Sequence, residues 1–179
     1  LQYMQSQVIS FDEKVIPTYY KTLALVDESV KELRSVSHDL MPRAVYRKGL
    51  AVSLAEIVDK IDYNRLRVHL NVEGITPQLD SNIQLMVYRI IQECISNVIK
   101  HADATKLDIS LIQENDFLHG TIDDNGIGFD SEKGTPASGL GFENIRTRIL
   151  FLKGELDISS QPGKGTLIAF HIPVKRIEL

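Results

Sequence analysis

The sequence predicts an α+β fold with a helical segment at its front. Apolar residues recur with helical spacing over 19–40 and over 83–98, and shorter runs at 66–72, 106–113, 117–123, 155–160 and 166–174 read as strands. Stretches rich in Gly, Pro and charge punctuate them. A chain of 179 residues suits one ordinary core with an appendage. Lys and Arg total 20 against 24 Asp and Glu, a formal net charge of -4 with a pI near 5.7. That balance argues against bulk nucleic-acid binding. The composition, 43% hydrophobic and 25% charged, is that of a chain with enough apolar content to fold. The single cysteine, Cys94, can make neither an internal disulfide nor a Cys-rich zinc site, so a reducing, cytoplasmic compartment is expected. No apolar run reaches the roughly 18 residues that a spanning helix needs, so no membrane contact by these residues is expected. The chain opens on Leu1 rather than Met, which suits a piece of a longer polypeptide.

The elements follow in order. Tyr19, Leu23, Val26, Val30, Leu33, Ser37 and Leu40 recur at alternating spacings of four and three, a narrow seam of the kind found in helical bundles. Leu1, Met4 and Val8 keep the same spacing, and Ser10 to Pro17 interrupts it with charges and a proline. Residues 1–42 therefore read as a truncated helical hairpin, and the narrow seam favours dimerisation over an ordinary helix packed on its own domain. Pro42 stops the helix near Met41, and a second domain is expected over 43–179. It begins with a short helix from Leu50 to Ile61, a strand from Leu66 to Val72 and a turn at Gly74 to Pro77. Asp80 or Ser81 can cap a helix that runs to about His101 and packs Ile83, Val87, Ile90, Ile91, Cys94 and Val98. A hairpin of Lys106 to Gln113 with Phe117 to Asp123 comes next. Asp124 to Gly141 holds five glycines and one proline, too flexible for a packed element and long enough for a functional loop. A helix over Phe142 to Leu152 and strands over Glu155 to Ser160 and Thr166 to Val174 complete the chain.

Chemistry concentrates in three places. Arg89, Glu93, Asn97 and His101 stand four residues apart and share one helix face. Asp124-Asn-Gly-Ile-Gly128 ends an apolar strand with a carboxylate and two glycines that let backbone approach a ligand. Gly139-Leu-Gly141 opens a helix whose free amides and positive dipole end suit an anion. A solvated face or a surface turn would explain each alone, but not the ordered set.

In that order and spacing, Glu93-Cys-Ile-Ser-Asn97-Val-Ile-Lys-His101, Asp124-Asn-Gly-Ile-Gly128, Gly139-Leu-Gly141 and Gly163-Lys-Gly-Thr166 resemble the N, G1, G2 and last boxes of the GHKL ATPases. Within that superfamily they resemble the catalytic domain of bacterial sensor histidine kinases, over about residues 45 to 175. Residues 30 to 50 are similar to the second dimerisation helix of kinases whose partners are LuxR-type regulators. The resemblance implies a Bergerat-type α/β sandwich, a mixed, mostly antiparallel sheet with helices on one face, behind a partial dimerisation hairpin. It implies transfer of the ATP γ-phosphoryl group to a histidine for relay to a response regulator, by a kinase that is a homodimer in its full-length form.

Carried across residue by residue, the resemblance implies that Asn97 ligates a magnesium ion on the ATP phosphates, a hard cation that wants oxygen ligands. Asp124 would accept from the adenine amino group, with Gly126 and Gly128 letting the chain pass the purine and Gly139 and Gly141 offering amides to phosphate under a lid at about 130–138. Thr166 would support the adenine-side carboxylate, Lys100 would neutralise phosphate charge, and Glu93 would polarise the phosphate acceptor or a water. Another GHKL ATPase or serine kinase is the rival enzyme reading, and a degenerate nucleotide-binding dimerisation scaffold is the rival outside enzymes. His38, in Ser-His-Asp-Leu, invites the role of phosphoacceptor, but the chain leaves no room after Met41 for a second hairpin arm. The acceptor is therefore expected upstream of this fragment, with His38 on the second helix. His69, His119 and His171 fall in strand-like segments with no spaced metal partner, and His101 is expected to cap or pack its helix end.

Overall fold

The computed structural model describes residues 43–76, 78–130 and 140–174. The seam over 19–40, His38, Gly139 and the expected lid beyond Asp130 lie outside the described residues. Backbone proximity divides the chain after Pro42, and the fold described below belongs to the second unit, Arg43–Leu179.

Two short helices open it, α1 (Arg43–Lys48) and α2 (Leu50–Val58). Between them Gly49 takes φ 80°, a left-handed conformation that breaks one helix into two. α1 was not foreseen, and α2 stops three residues short of the expected Ile61. Strand β1 (Arg67–Glu73) leads to helix α3 (Ser81–Asn97). Asp80 is its N-cap: one carboxylate oxygen accepts from the amides of Asn82 at 2.8 Å and Ile83 at 3.2 Å, which satisfies two otherwise orphaned donors. The expected single helix to His101 instead ends its α geometry at Asn97 and continues as a π-helical turn over Val98–Ala102. Strands β2 (Lys106–Glu114) and β3 (Phe117–Asp124) form the foreseen hairpin. Helix α4 (Leu140–Phe151) and strands β4 (Glu155–Gln161) and β5 (Gly165–Pro173) complete the unit.

The five strands lie in the order β1-β2-β3-β5-β4. Only β1 and β2 are parallel, and the other three pairings are antiparallel. A parallel pair needs a crossover, which α3 supplies. The sheet is therefore mixed and mostly antiparallel, as expected. Its strands alternate between faces, and one face carries the core: Leu107, Ile109 and Leu111 of β2, Leu118 and Ile122 of β3, and Ile168, Phe170 and Ile172 of β5. Val87, Ile90, Ile91 and Cys94 of α3 and Ile145 and Ile149 of α4 are buried in the same cluster. Gly120 pairs across the ladder with Phe170, whose ring lies 2.1 Å from where a Cβ on Gly120 would be. The glycine is thus what lets an aromatic ring fill the centre of the sheet.

Opposite faces of one strand give a test of this layering. Ile109 is 1% exposed and Ile112 is 37% exposed. Ile109→Ala should cost about 2–5 kcal/mol in urea unfolding through lost burial and a residual cavity, whereas Ile112→Ala should cost less than about 1 kcal/mol.

Candidate functional site

β3 delivers Asp124 to a turn that is threaded between two other backbones. On one side, Ile127 donates its amide to the Ala102 carbonyl at 2.7 Å. A Cβ on Gly126 would stand 2.2 Å from that same oxygen, so only glycine fits there. On the other side, Gly128 has φ 57° and lies so near the Gln161 carbonyl that a Cβ would approach it to 2.1 Å. Asn125 locks the turn to the start of β2, since its Oδ1 accepts from the amides of Thr105 and Lys106, both at 2.9 Å. Its Nδ2 donates to Thr105 Oγ1 at 3.0 Å.

The carboxylate so placed is 7% exposed. Burial pushes its carboxyl above the ordinary range, against the pull of the Gly126 and Thr166 amides, which favour the charged form, and the nearby Asp123 adds to the rise. The Gly126 amide donates to Asp124 Oδ1 at 2.8 Å. Asp124 pairs across the ladder with Thr166. Thr166 Oγ1 in turn lies 3.0 Å from the hydroxyl of Ser160, which donates to the Gly165 carbonyl at 2.8 Å and accepts from the Phe129 amide at 2.9 Å.

The facing wall comes from α3. Asn97, His101 and Ala102 line a cleft with Cys94, Val98, Ile122, Asp124, Ile127, Gly128, Phe129, Phe142, Thr166 and Ile168. In an α-helix, at roughly 100° per residue, the fifth residue after Asn97 would point about 140° away. The π turn, with its i to i+5 closure, brings Ala102 back to the side of Asn97. Asn97 Nδ2 is buried and has no hydrogen-bond partner among the described residues. At the start of α4, a Cβ on Gly141 would meet Glu93 Oε1 at 2.5 Å and the Asn97 amide at 3.0 Å. Phe129 and Phe142, on either side of the 131–139 segment, bring their rings to 5.4 Å.

The structure therefore gathers Asn97, Asp124, Gly128 and Thr166 around one cleft and sets Glu93 beside Gly141 at its edge. Gly126 serves the turn through Ala102 rather than lining the cleft. Lys100 is exposed on the π turn and is not part of the cleft wall. His101 lines the cleft instead of only closing a helix end. Ser160, Phe129 and Phe142 were missed. For Ser160 the only available signal was a hydroxyl just before the Gln161-Pro-Gly turn, and the two phenylalanines flank the glycine-dense loop.

The model of the family described as "Histidine kinase-, DNA gyrase B-, and HSP90-like ATPase" matches residues 82–176, just over half of the chain. This chain belongs to that family. Among similar sequences, sensor histidine kinase ComP of Bacillus subtilis is 36% identical over 143 residues, 78% of this chain and 18% of ComP. Sensor histidine kinase MctS of Rhizobium johnstonii is 34% identical over 144 residues, 79% of this chain and 31% of MctS. The chain thus spans less than a third of either relative. Among solved structures, the histidine kinase AdeS of Acinetobacter baumannii superposes with a TM-score of 0.59 at 21% identity, over 98% of this chain and 91% of AdeS. The histidine kinase domain of the blue-light activated kinase of Erythrobacter litoralis does so at 0.55 and 24% identity, over 70% and 65%. These last two likenesses concern the fold. The described unit is thus an ATP-binding domain of the kind found in sensor histidine kinases. No helix among its described residues is long and apolar enough to cross a membrane.

The raised carboxyl of Asp124 has a consequence for stability. A group whose folded value lies above its unfolded one stabilises the fold at acid pH, and that contribution is lost as pH rises through the folded value. Without nucleotide, Asp124→Asn, which keeps an acceptor for the two amides and removes the buried charge, should melt at or above the unaltered chain at pH 7. The difference should narrow as pH falls into the ordinary carboxylate range, as thermal melts across that interval would show.

Proposed function

We propose that the cleft between Asp124 and Asn97 binds ATP with magnesium, and that the whole kinase passes the γ-phosphoryl group to a histidine on a dimerisation helix for relay to a response regulator. The observation that carries this reading is one cleft lined by a buried carboxylate and by a carboxamide whose buried nitrogen has no partner among the described residues, with apolar side chains beside them. Apolar walls suit a purine, and a carboxylate that can only accept suits a purine edge that donates. A guanine carbonyl at that place would leave two acceptors opposed without a proton, which is how Asp124 would select adenine.

The opposite wall fits a hard cation. Asn97, which lines the cleft, would hold magnesium through its amide oxygen, the kind of ligand a hard cation takes, and the bound ion would offset phosphate charge. The chain's own residues do the remaining work by positioning. Gly141 keeps the start of α4 close against Asn97 and Glu93, so that helix amides can face phosphate oxygens. Glu93, beside Gly141, would polarise the phosphate acceptor or a water. Lys100, exposed on the π turn, can reach outward to a phosphate tail. Residues 1–42 act as the partial dimerisation hairpin of a homodimer, and the similarity of residues 30 to 50 to kinases with LuxR-type partners supports a regulator of that type. His38 is a neighbour of the acceptor in this reading, not the acceptor.

Calorimetry with magnesium and ATP tests the site. The unaltered chain should bind, and Asp124→Asn should lose at least about a hundredfold in affinity, since a donating carboxamide replaces an acceptor. Unchanged affinity in that variant would reject the adenine assignment. Incubation with labelled ATP on the same sample should leave the chain without acid-labile phosphate; label that disappears in His38→Gln would make His38 the acceptor after all.

A further inference from the structure

Helix α4 meets the cleft by its first turn, and few side chains hold that turn in place. Of the four residues from Gly141 to Asn144, Glu143 and Asn144 are exposed and Gly141 has no side chain. Burial in the core begins only at Ile145 and continues at Ile149. Gly141 nevertheless lies so near α3 that a Cβ there would meet Glu93 Oε1 at 2.5 Å and the Asn97 amide at 3.0 Å. A glycine permits such an approach and does nothing to maintain it, so another residue of the turn must. Phe142 is half-buried, and its ring centroid lies 5.4 Å from that of Phe129, with the ring planes at 55°. Tilted rings at that separation attract one another beyond what their burial supplies. Phe129 is the fixed half of the pair. Its amide donates to the Ser160 hydroxyl at 2.9 Å, the Ile127 carbonyl just before it accepts from the Gly163 amide at 2.6 Å, and Gly128 is wedged against the Gln161 carbonyl.

We propose that Phe129 and Phe142 form an aromatic clasp that positions the first turn of α4 beside Asn97, so that this pair of rings sets the affinity of the cleft for the phosphates of ATP and not for its purine. The inference rests on the ATP-site reading above and deepens it. Phe129 belongs to a backbone tied to the turn between β4 and β5, and Phe142 to the helix whose free amides would face phosphate oxygens. The clasp joins the two. Without it the turn would be held only from Ile145 onward, and its unpaired donors would fray away from the place where the anion binds. Both residues line the cleft, so contact with the purine is the competing role. A ligand that has the purine and lacks the phosphates separates the two.

Calorimetry on the 179-residue chain with magnesium compares ATP with adenosine. Phe129→Ala and Phe142→Ala should each lower ATP affinity about tenfold and leave adenosine affinity within about twofold of its original value. The double variant should lose no more ATP affinity than either single one, because each substitution removes the same contact. Phe142→Tyr, which keeps the ring, should bind ATP as the unaltered chain does. Without nucleotide, amide hydrogen exchange over residues 141–147 should quicken in both alanine variants, since the turn they cover has lost its fastening. Equal losses of ATP and adenosine, losses that add in the double variant, or unchanged exchange over 141–147 would overturn the clasp and leave the rings as purine contacts or packing. If an alanine variant does not fold, Phe142→Leu, which keeps apolar volume without a ring, takes its place with the same expected and overturning results. Failure of the unaltered chain to bind ATP would reject the ATP site itself, and with it the role assigned to the clasp in phosphate binding.

Discussion

The cleft depends on two backbones meeting at the Ala102 carbonyl. That oxygen accepts from Ile127 at 2.7 Å and stands where any side chain at position 126 would collide. The meeting requires a glycine at 126 and also a helix end wound wide enough to turn Ala102 toward β3, which the π turn provides. Once those backbones are joined, Asp124 is largely buried and opens onto the cleft that Asn97 also lines. Asn125 reinforces the joint from outside by holding the amides of Thr105 and Lys106.

Burying the Asp124 carboxylate is unfavourable for the empty protein, as its raised titration shows. The Gly126 and Thr166 amides offset part of this. The result is a largely apolar space with acceptors at one end and an unsatisfied carboxamide at the other. Such a site is strained toward its ligand, since the groups that destabilise it when empty are those a nucleotide amino group and a phosphate oxygen would satisfy.

Much of this was legible in the residues. Alternation in β2, β3 and β5 and the helical stripe of α3 predicted the layers because one face of each had to be apolar, and Asp80 announced its own helix by cap chemistry. Asp124, Asn97 and the paired glycines were readable because their types are rare in ordered succession and each has a local reason to sit at a strand or helix end. The break at Gly49, the π turn and Ser160 were not readable. Val-Ile-Lys-His-Ala has ordinary helical composition, so its wider winding answers to Ala102's distant partner at Ile127 and not to local propensity. Ser160 looks like any strand-end serine until β5 and Phe129 are brought to it.

The sequence alone thus determined the element types, the apolar face of each and the chemical types available to the site, because periodicity and capping act over a few residues. Tertiary structure decided which groups share the cleft and which lie beside it, as Lys100 does. Those outcomes rest on close approach between segments far apart in the chain, as Asn97 and Thr166 are, and no local pattern encodes a distance across the fold.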